Sequence, residues 1–309
     1  MKKDFMKKSK KILLVIILAA IIVSLLFLYW KGTIHSVRIT FIEDEMGIQF
    51  RDYGHVYGKQ IGVHYSATAT ADSLTKYYNE FKNSNDEKAK QLLINNANWL
   101  VDNMVLKENY AIYYWDFPWP TYDLPSNWRS SLSQGKAITA LLKAYEVTND
   151  ERYLEASKLL INSFFIEVKD GGTTYKTQND GWWYEEYAHQ EGLKSRVLNG
   201  MITTVLGIYN YYNVTKDPEA KYLFDQGIIA LKNELPKYDF GNYSYYDLLG
   251  NPARAYHETH IVLLDKLYSI SNEEIFFEYS EKWEKCDDTC QFINKVYLIY
   301  FGGFKNSNA

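Results

Sequence analysis

The sequence predicts a mainly α fold: an (α/α) toroid or barrel of helical hairpins, behind a short β-containing stalk and one transmembrane helix. Three observations predict it. A helix–polar turn–helix unit recurs four times, with turns near residues 86, 150, 217 and 273. Long inserts at 105–130, 168–196 and 237–259 fall between the units. A 19-residue apolar run from Ile12 to Trp30, broken only by Ser24, precedes them all.

The apolar run spans roughly 28 Å as a helix, close to a hydrocarbon core of about 30 Å. Lys2, Lys3, Lys7, Lys8, Lys10 and Lys11 precede it, opposed only by Asp4. Such a bias keeps the N-terminus cytoplasmic and sends the rest outward. Residues 1–11 thus read as a basic tail and 12–30 as an uncleaved signal anchor. A cleaved signal peptide is the alternative, but its apolar region is usually shorter, and no small-residue cleavage site follows. The whole chain carries a formal charge of −4. Without the six Lys and one Asp of residues 1–30, the exported part is near −9. That excludes nucleic acid as a general partner. A polyanionic substrate would need a local basic patch, for which Arg129, Lys136, Lys194, Arg196 and Arg254 are candidates.

Residues 31–70 alternate, as in Val37-Arg38-Ile39-Thr40-Phe41-Ile42, and Gly54, Gly58 and Gly62 punctuate them. This predicts a membrane-proximal stalk with one or two hairpins. From 71 to 309 helices dominate, with apolar residues at spacings of three and four. The turns Asn85-Asp86, Asn149-Asp150, Lys216-Asp217 and Asn272-Glu273 are placed to cap the second helix of each unit. Their spacing near 60 exceeds that of common solenoid repeats. It suits hairpins closing into a toroid, with long loops crowding one end; an open solenoid is the alternative.

The inserts carry the chemistry. The first holds Tyr113-Tyr114-Trp115-Asp116-Phe117-Pro118-Trp119-Pro120, an aromatic wall stiffened by proline, in a chain with 28 Tyr and 8 Trp. Trp115 and Trp119 suit stacking on sugar rings. The second holds Trp183-Tyr184-Glu185-Glu186-Tyr187, where two adjacent carboxylates cannot both be buried as anions. The third holds Tyr245-Tyr246-Asp247-Leu248 and Tyr256-His257-Glu258-Thr259-His260. Its histidines are three apart, so this is not the zinc HExxH pattern, and no metal site is expected. Cys286 and Cys290 are the two cysteines, four apart, and allow a local disulfide outside the cell.

Six motifs occur in a characteristic order: Ser133-Gln134-Gly135, Trp183 to Tyr187, Val197-Leu198-Asn199-Gly200, Leu235 to Asp239, Tyr246-Asp247-Leu248 and Tyr256 to His260. Together they resemble the C-terminal domain of heparosan-type D-glucuronyl C5-epimerases, over roughly residues 90 to 300. The resemblance implies catalytic roles for Glu186, Tyr187, Tyr246 and Tyr256. The candidate substrate contacts are Trp115, Trp119, Arg129, Gln134, Trp183, Arg196, Asn199, Arg254 and His257. Two departures stand out. Leu249-Gly250 replaces the basic residues expected after Tyr-Asp-Leu, and Ala188-His189-Gln190 replaces the usual Pro and Thr.

The implied reaction converts D-glucuronate to L-iduronate within a polysaccharide. It removes a proton at C5 and returns one on the opposite face, with no cofactor. Tyr187 and Tyr256 are expected on opposite faces, with Tyr246 and Glu186 as relay. A tyrosine base needs a pKa drawn down from about 10, and Arg254 or Arg196 would contribute. A lyase acting by β-elimination and a membrane-tethered glycan-binding module are the rival readings. The expected partners are a uronate-containing polysaccharide and the membrane; a homodimer is compatible with the sequence.

Overall fold

The computed structural model describes residues 18–24 and 39–286. Four helical hairpins form its body: α1 (Ala67–Ser84) with α2 (Glu87–Asp102), α3 (Ser131–Thr148) with α4 (Glu151–Asn162), α5 (Leu198–Thr215) with α6 (Pro218–Glu234), and α7 (His257–Ser271) with α8 (Glu274–Glu284). Each tight turn is built the same way. The first helix ends in a left-handed residue, Asn85, Asn149, Lys216 or Asn272, with φ between 52° and 57°. In three of them the next residue, Asp86, Asp150 or Asp217, caps the following helix through its side chain. The fourth, Glu273, makes no such side-chain bond. Left-handed backbone reverses the chain, and the carboxylate satisfies an orphan N–H.

Helices α1, α3, α5 and α7 pack successively side by side, and each carries its partner on its outer face. The central crossing of α3 and α5 is close. A Cβ on Gly135 would lie 2.8 Å from the Thr204 Cα, and one on Gly207 would lie 2.7 Å from the Gly135 Cα. Any larger residue at either position forces these helices apart. No extensive packing joins α7 back to α1 among the described residues, so these form an arc of a toroid.

Because two-residue turns make each hairpin antiparallel, all four tight turns lie at one end of the arc. The inserts and the N-terminal segment lie at the other, with the first residues of α1, α3, α5 and α7. Here β1 (Thr40–Glu43), β2 (Gln49–Asp52) and β3 (Val63–Tyr65) form an antiparallel sheet in the order β1-β2-β3. Antiparallel strand pairs thus occur within the segment read as a stalk. Tyr53, Val56 and Ile61 share a hydrophobic cluster with Trp115, Phe117, Trp119, Tyr122 and Trp128. Burial of these apolar side chains welds residues 39–65 to the first insert.

The predicted anchor lies largely outside the described residues. Its described part, residues 18–24, is helical and exposed. Among the described residues no helix is long and apolar enough to cross a membrane. Cys286 is disulfide-bonded, while Cys290 lies outside the described residues.

Candidate active site

The short strand Trp182–Tyr184 leads directly into Glu185, Glu186 and Tyr187. Backbone bonds fix this path against a helix start: Ser131 N donates to the Glu185 carbonyl at 3.0 Å. The third insert is pinned similarly, since Leu198 N, opening α5, donates to the Tyr246 carbonyl at 3.0 Å. Asp247 holds the local turn. It accepts from Leu249 N, from Asn251 N and Nδ2, and from the Tyr122 hydroxyl at 2.7 Å. The Asp of Tyr-Asp-Leu is therefore a positioning residue.

These constraints gather three phenols around one carboxylate. The Tyr187 side chain interacts with the Glu186 carboxylate and with the Tyr246 phenol. The Tyr246 and Tyr256 rings lie 5.0 Å apart. Glu186, Tyr187, Tyr246 and Tyr256 form a continuous series. Tyr122, at 4.6 Å, and Trp128, at 5.3 Å, pack on the Tyr187 ring, and Trp119 is stacked parallel to it at 6.4 Å. Tyr256 is the outermost member, 45% exposed.

Glu186 is buried and its Oε2 has no hydrogen-bond partner. Burial first, and then the charge of Glu185, push its pKa up to about 8. Gly200 makes room for it: a Cβ there would lie 2.7 Å from the Glu186 Cβ and 2.8 Å from its Cδ, and would overlap Oε2. Tyr187 and Tyr246 are held well above the usual phenol range, by burial and then by the charge of Glu186. Tyr256 is raised for the same reasons, with Arg51 pulling the other way. The expectation of tyrosines drawn down by Arg254 or Arg196 is corrected. All three phenols are raised instead, and the cation opposing the rise at Tyr256 is Arg51.

A family model described as D-glucuronyl C5-epimerase C-terminus matches residues 107–285, more than half of the chain. The chain belongs to this family. An uncharacterized protein of Methanocaldococcus jannaschii is 32% identical over 75% of this chain and 81% of its own length. The D-glucuronyl C5-epimerase of Caenorhabditis elegans is 33% identical over 52% of this chain. This C5-epimerase family member spans 29% of that enzyme's length.

Among solved structures, a sugar epimerase from a ruminal bacterium superposes with a TM-score of 0.57 at 13% identity. It covers 81% of this chain and 66% of its own. A GH76 α-mannanase of Bacteroides thetaiotaomicron follows at 0.51 and 12% identity, covering 79% and 63%. These likenesses establish the toroid-type fold. Family membership makes this chain a carbohydrate epimerase-type enzyme.

Other predicted residues of this family member fall in two groups. Gln134 and Asn199 are buried in the first turns of α3 and α5, and both Gln134 amide atoms and Asn199 Oδ1 lack partners. Their polar groups stand unpaired at the site end. Trp115 stacks on Trp128 at 4.6 Å and supports the aromatic wall.

The second group is occupied elsewhere. Arg129 is corrected from a substrate contact to a loop clamp: its guanidinium donates to the Val168 and Gly172 carbonyls at 3.0 and 3.2 Å. Arg196 lies over the Trp183 and Tyr175 rings and near Glu234, on the Glu185 side. Trp183 is buried against Tyr238. Arg254 is exposed, and its carbonyl accepts from the Tyr243 hydroxyl. His257 is buried: its Nδ1 accepts from Ser244 N at 3.2 Å and its Nε2 donates to the Trp283 carbonyl at 3.2 Å. His260 pairs with Ser244 Oγ at 2.9 Å, and burial lowers its pKa to about 3. Both histidines brace the α7–α8 junction. Among the described residues no cluster of three or more metal-type ligands occurs.

Proposed function

We propose that this chain epimerises D-glucuronate to L-iduronate at C5 within a polysaccharide. The observation that carries the reading is the series Glu186–Tyr187–Tyr246–Tyr256, closed against water on one side by tryptophans and open at Tyr256. Family membership supports the same chemistry.

The reaction balances within that series. The Tyr187 oxygen takes the C5 proton as its own phenolic proton passes to the Glu186 carboxylate. The C–H electron pair moves into the substrate carboxylate, giving an enolate-like intermediate. Tyr256 delivers its proton to the opposite face of C5. The proton returns along the series: Glu186 gives one back to Tyr187, Tyr187 gives one to Tyr246, and Tyr246 gives one to Tyr256. A pKa near 8 suits Glu186 to this exchange, because an effective relay titrates near working pH. Gln134 and Asn199 bind ring hydroxyls in this scheme, and the aromatic wall carries the sugar faces.

The test is proton NMR of glucuronate-containing polysaccharides incubated with the chain in heavy water. Deuterium at C5 with iduronate signals and intact polymer is the expected result. Unsaturated chain ends would make the enzyme a lyase, and binding without exchange would make it a glycan-binding module. Tyr246→Phe, which keeps the ring packing, is expected to lower exchange at least 10³-fold. Full exchange in that variant removes Tyr246 from the relay.

The apolar run 12–30 and its lysine flank support a membrane anchor with the catalytic domain outside the cytoplasm. Protease protection of the domain in sealed, right-side-out membranes would count against that orientation.

A further inference from the structure

Two cations beside the site have no role in the proton relay. Arg51 lies on β2 and Lys136 on α3, 85 positions apart in the chain. One carboxylate joins them. Arg51 Nη2 reaches Asp72 Oδ2 at 3.3 Å, and Lys136 Nζ reaches Asp72 Oδ1 at 2.7 Å. Two cations sharing one anion leave one net positive charge. The Arg51 side chain is only 15% exposed, and its Nε is buried without a partner.

The sheet register sets where Arg51 lies. Arg51 pairs with His64, whose ring sits 4.1 Å from that of Phe117 in the aromatic insert. Two residues beyond Arg51, Tyr53 meets the edge of Trp119 at 5.7 Å, and Trp119 is stacked parallel to Tyr187. The face of β2 that carries Arg51 thus meets the wall of the site. The charges are felt there: Arg51 opposes the rise in the Tyr256 pKa, and Lys136 opposes that of Glu186.

We propose that Arg51 and Lys136, tied together by Asp72, form the clamp that binds the uronate carboxylate. The proposal rests on the C5-epimerase reading for its substrate. Removing the C5 proton drives negative charge onto the carboxylate, and a guanidinium with a free N–H is suited to accept it. One net positive charge matches one carboxylate. The clamp also answers a feature of this chain, because Leu249-Gly250 carries no cation after Tyr246-Asp247-Leu248. Arg51 precedes the 107–285 family match, so the match by itself does not point to it.

The test compares two probes on the full chain: a heparosan oligosaccharide and its carboxyl-reduced counterpart. Calorimetry measures binding, and heavy-water NMR measures C5 exchange. Wild type is expected to prefer the acid at least tenfold. Arg51→Met is expected to lose that preference, to bind the reduced probe unchanged, and to exchange C5 at least 10²-fold more slowly. Arg51→Lys should recover part of both. Asp72→Asn frees both cations and should tighten the acidic probe about threefold, which a merely structural salt bridge would not do. Arg152→Ala, an exposed cation that forms an ion pair with Asp150, controls for net charge.

No acid preference in wild type, or undiminished preference in Arg51→Met, overturns the clamp. Acid preference that depends on Arg51, without any C5 exchange, supports the clamp and instead overturns the epimerase reading.

Discussion

The two sides of the second insert carry neighbouring carboxylates in opposite circumstances. On one side Glu185 has both oxygens engaged: Ser195 Oγ donates to Oε1 at 2.9 Å and Arg196 N donates to Oε2 at 3.1 Å. On the other side Glu186 turns toward the tyrosines with one oxygen unpartnered. Burial raises both, Glu185 to about 7 and Glu186 to about 8, so burial alone does not separate them. Hydrogen bonding does. A carboxylate whose acceptors are satisfied holds a loop, whereas one with a free oxygen can still accept a proton. The free oxygen marks Glu186 as the group for chemistry and Glu185 as the group for architecture.

The comparison breaks most sharply at Glu186. Glu186→Gln keeps the shape and removes proton exchange. It is expected to lower C5 exchange about 10³-fold, with little change in substrate affinity. Glu185→Gln, which keeps its acceptor oxygen for Ser195, should lose far less. Equal losses in the two variants, each still folded by circular dichroism, would sink the distinction.

Gly200→Ala tests the same contrast from the neighbouring helix. The added methyl would overlap Glu186 and leaves Glu185 untouched. The expected loss is about 10² in kcat with KM little changed, because a displaced relay still leaves the binding surfaces in place. A rise in KM as large as the fall in kcat would point to a collapsed pocket instead.

The sequence made the hairpins legible because their turns use one local device. Asn85-Asp86 and its three counterparts reverse the chain at fixed positions between apolar segments. The tyrosines were legible only through motif order; their neighbours depend on contacts that no spacing encodes. Arg51 looked like one polar residue in an alternating strand, and its tie to Asp72 and Lys136 exists only after folding. Arg129 and His257 misled because a motif fixes a residue's place but not where its side chain points. Gly200 left a signal: glycine in the first turn of an apolar helix weakens that helix and often marks a close approach. The predicted lowering of the phenols failed for an electrostatic reason. The nearest strong charge is the anionic form of Glu186, and burial acts in the same direction.

The smallest effect expected is on stability, and its sign follows from the raised carboxylates. In the unfolded chain Glu186 ionises near its ordinary value of 4.5, whereas in the fold it holds its proton to about pH 8. Below about pH 4.5 both states are protonated and its contribution to stability is fully present. As pH rises toward 8, unfolding releases a proton and that contribution is lost. Glu186→Gln cannot ionise and escapes this loss. The variant should match wild type in thermal midpoint near pH 4.5 and exceed it near pH 9. The rise from 4.5 to about 8 sets an upper bound of about 5 kcal/mol, and the midpoint is expected to gain several degrees. Glu185→Gln should gain less, because ionised Glu185 keeps the Ser195 and Arg196 bonds that offset its burial. If Glu185→Gln gains as much as Glu186→Gln, hydrogen bonding does not distinguish the two carboxylates.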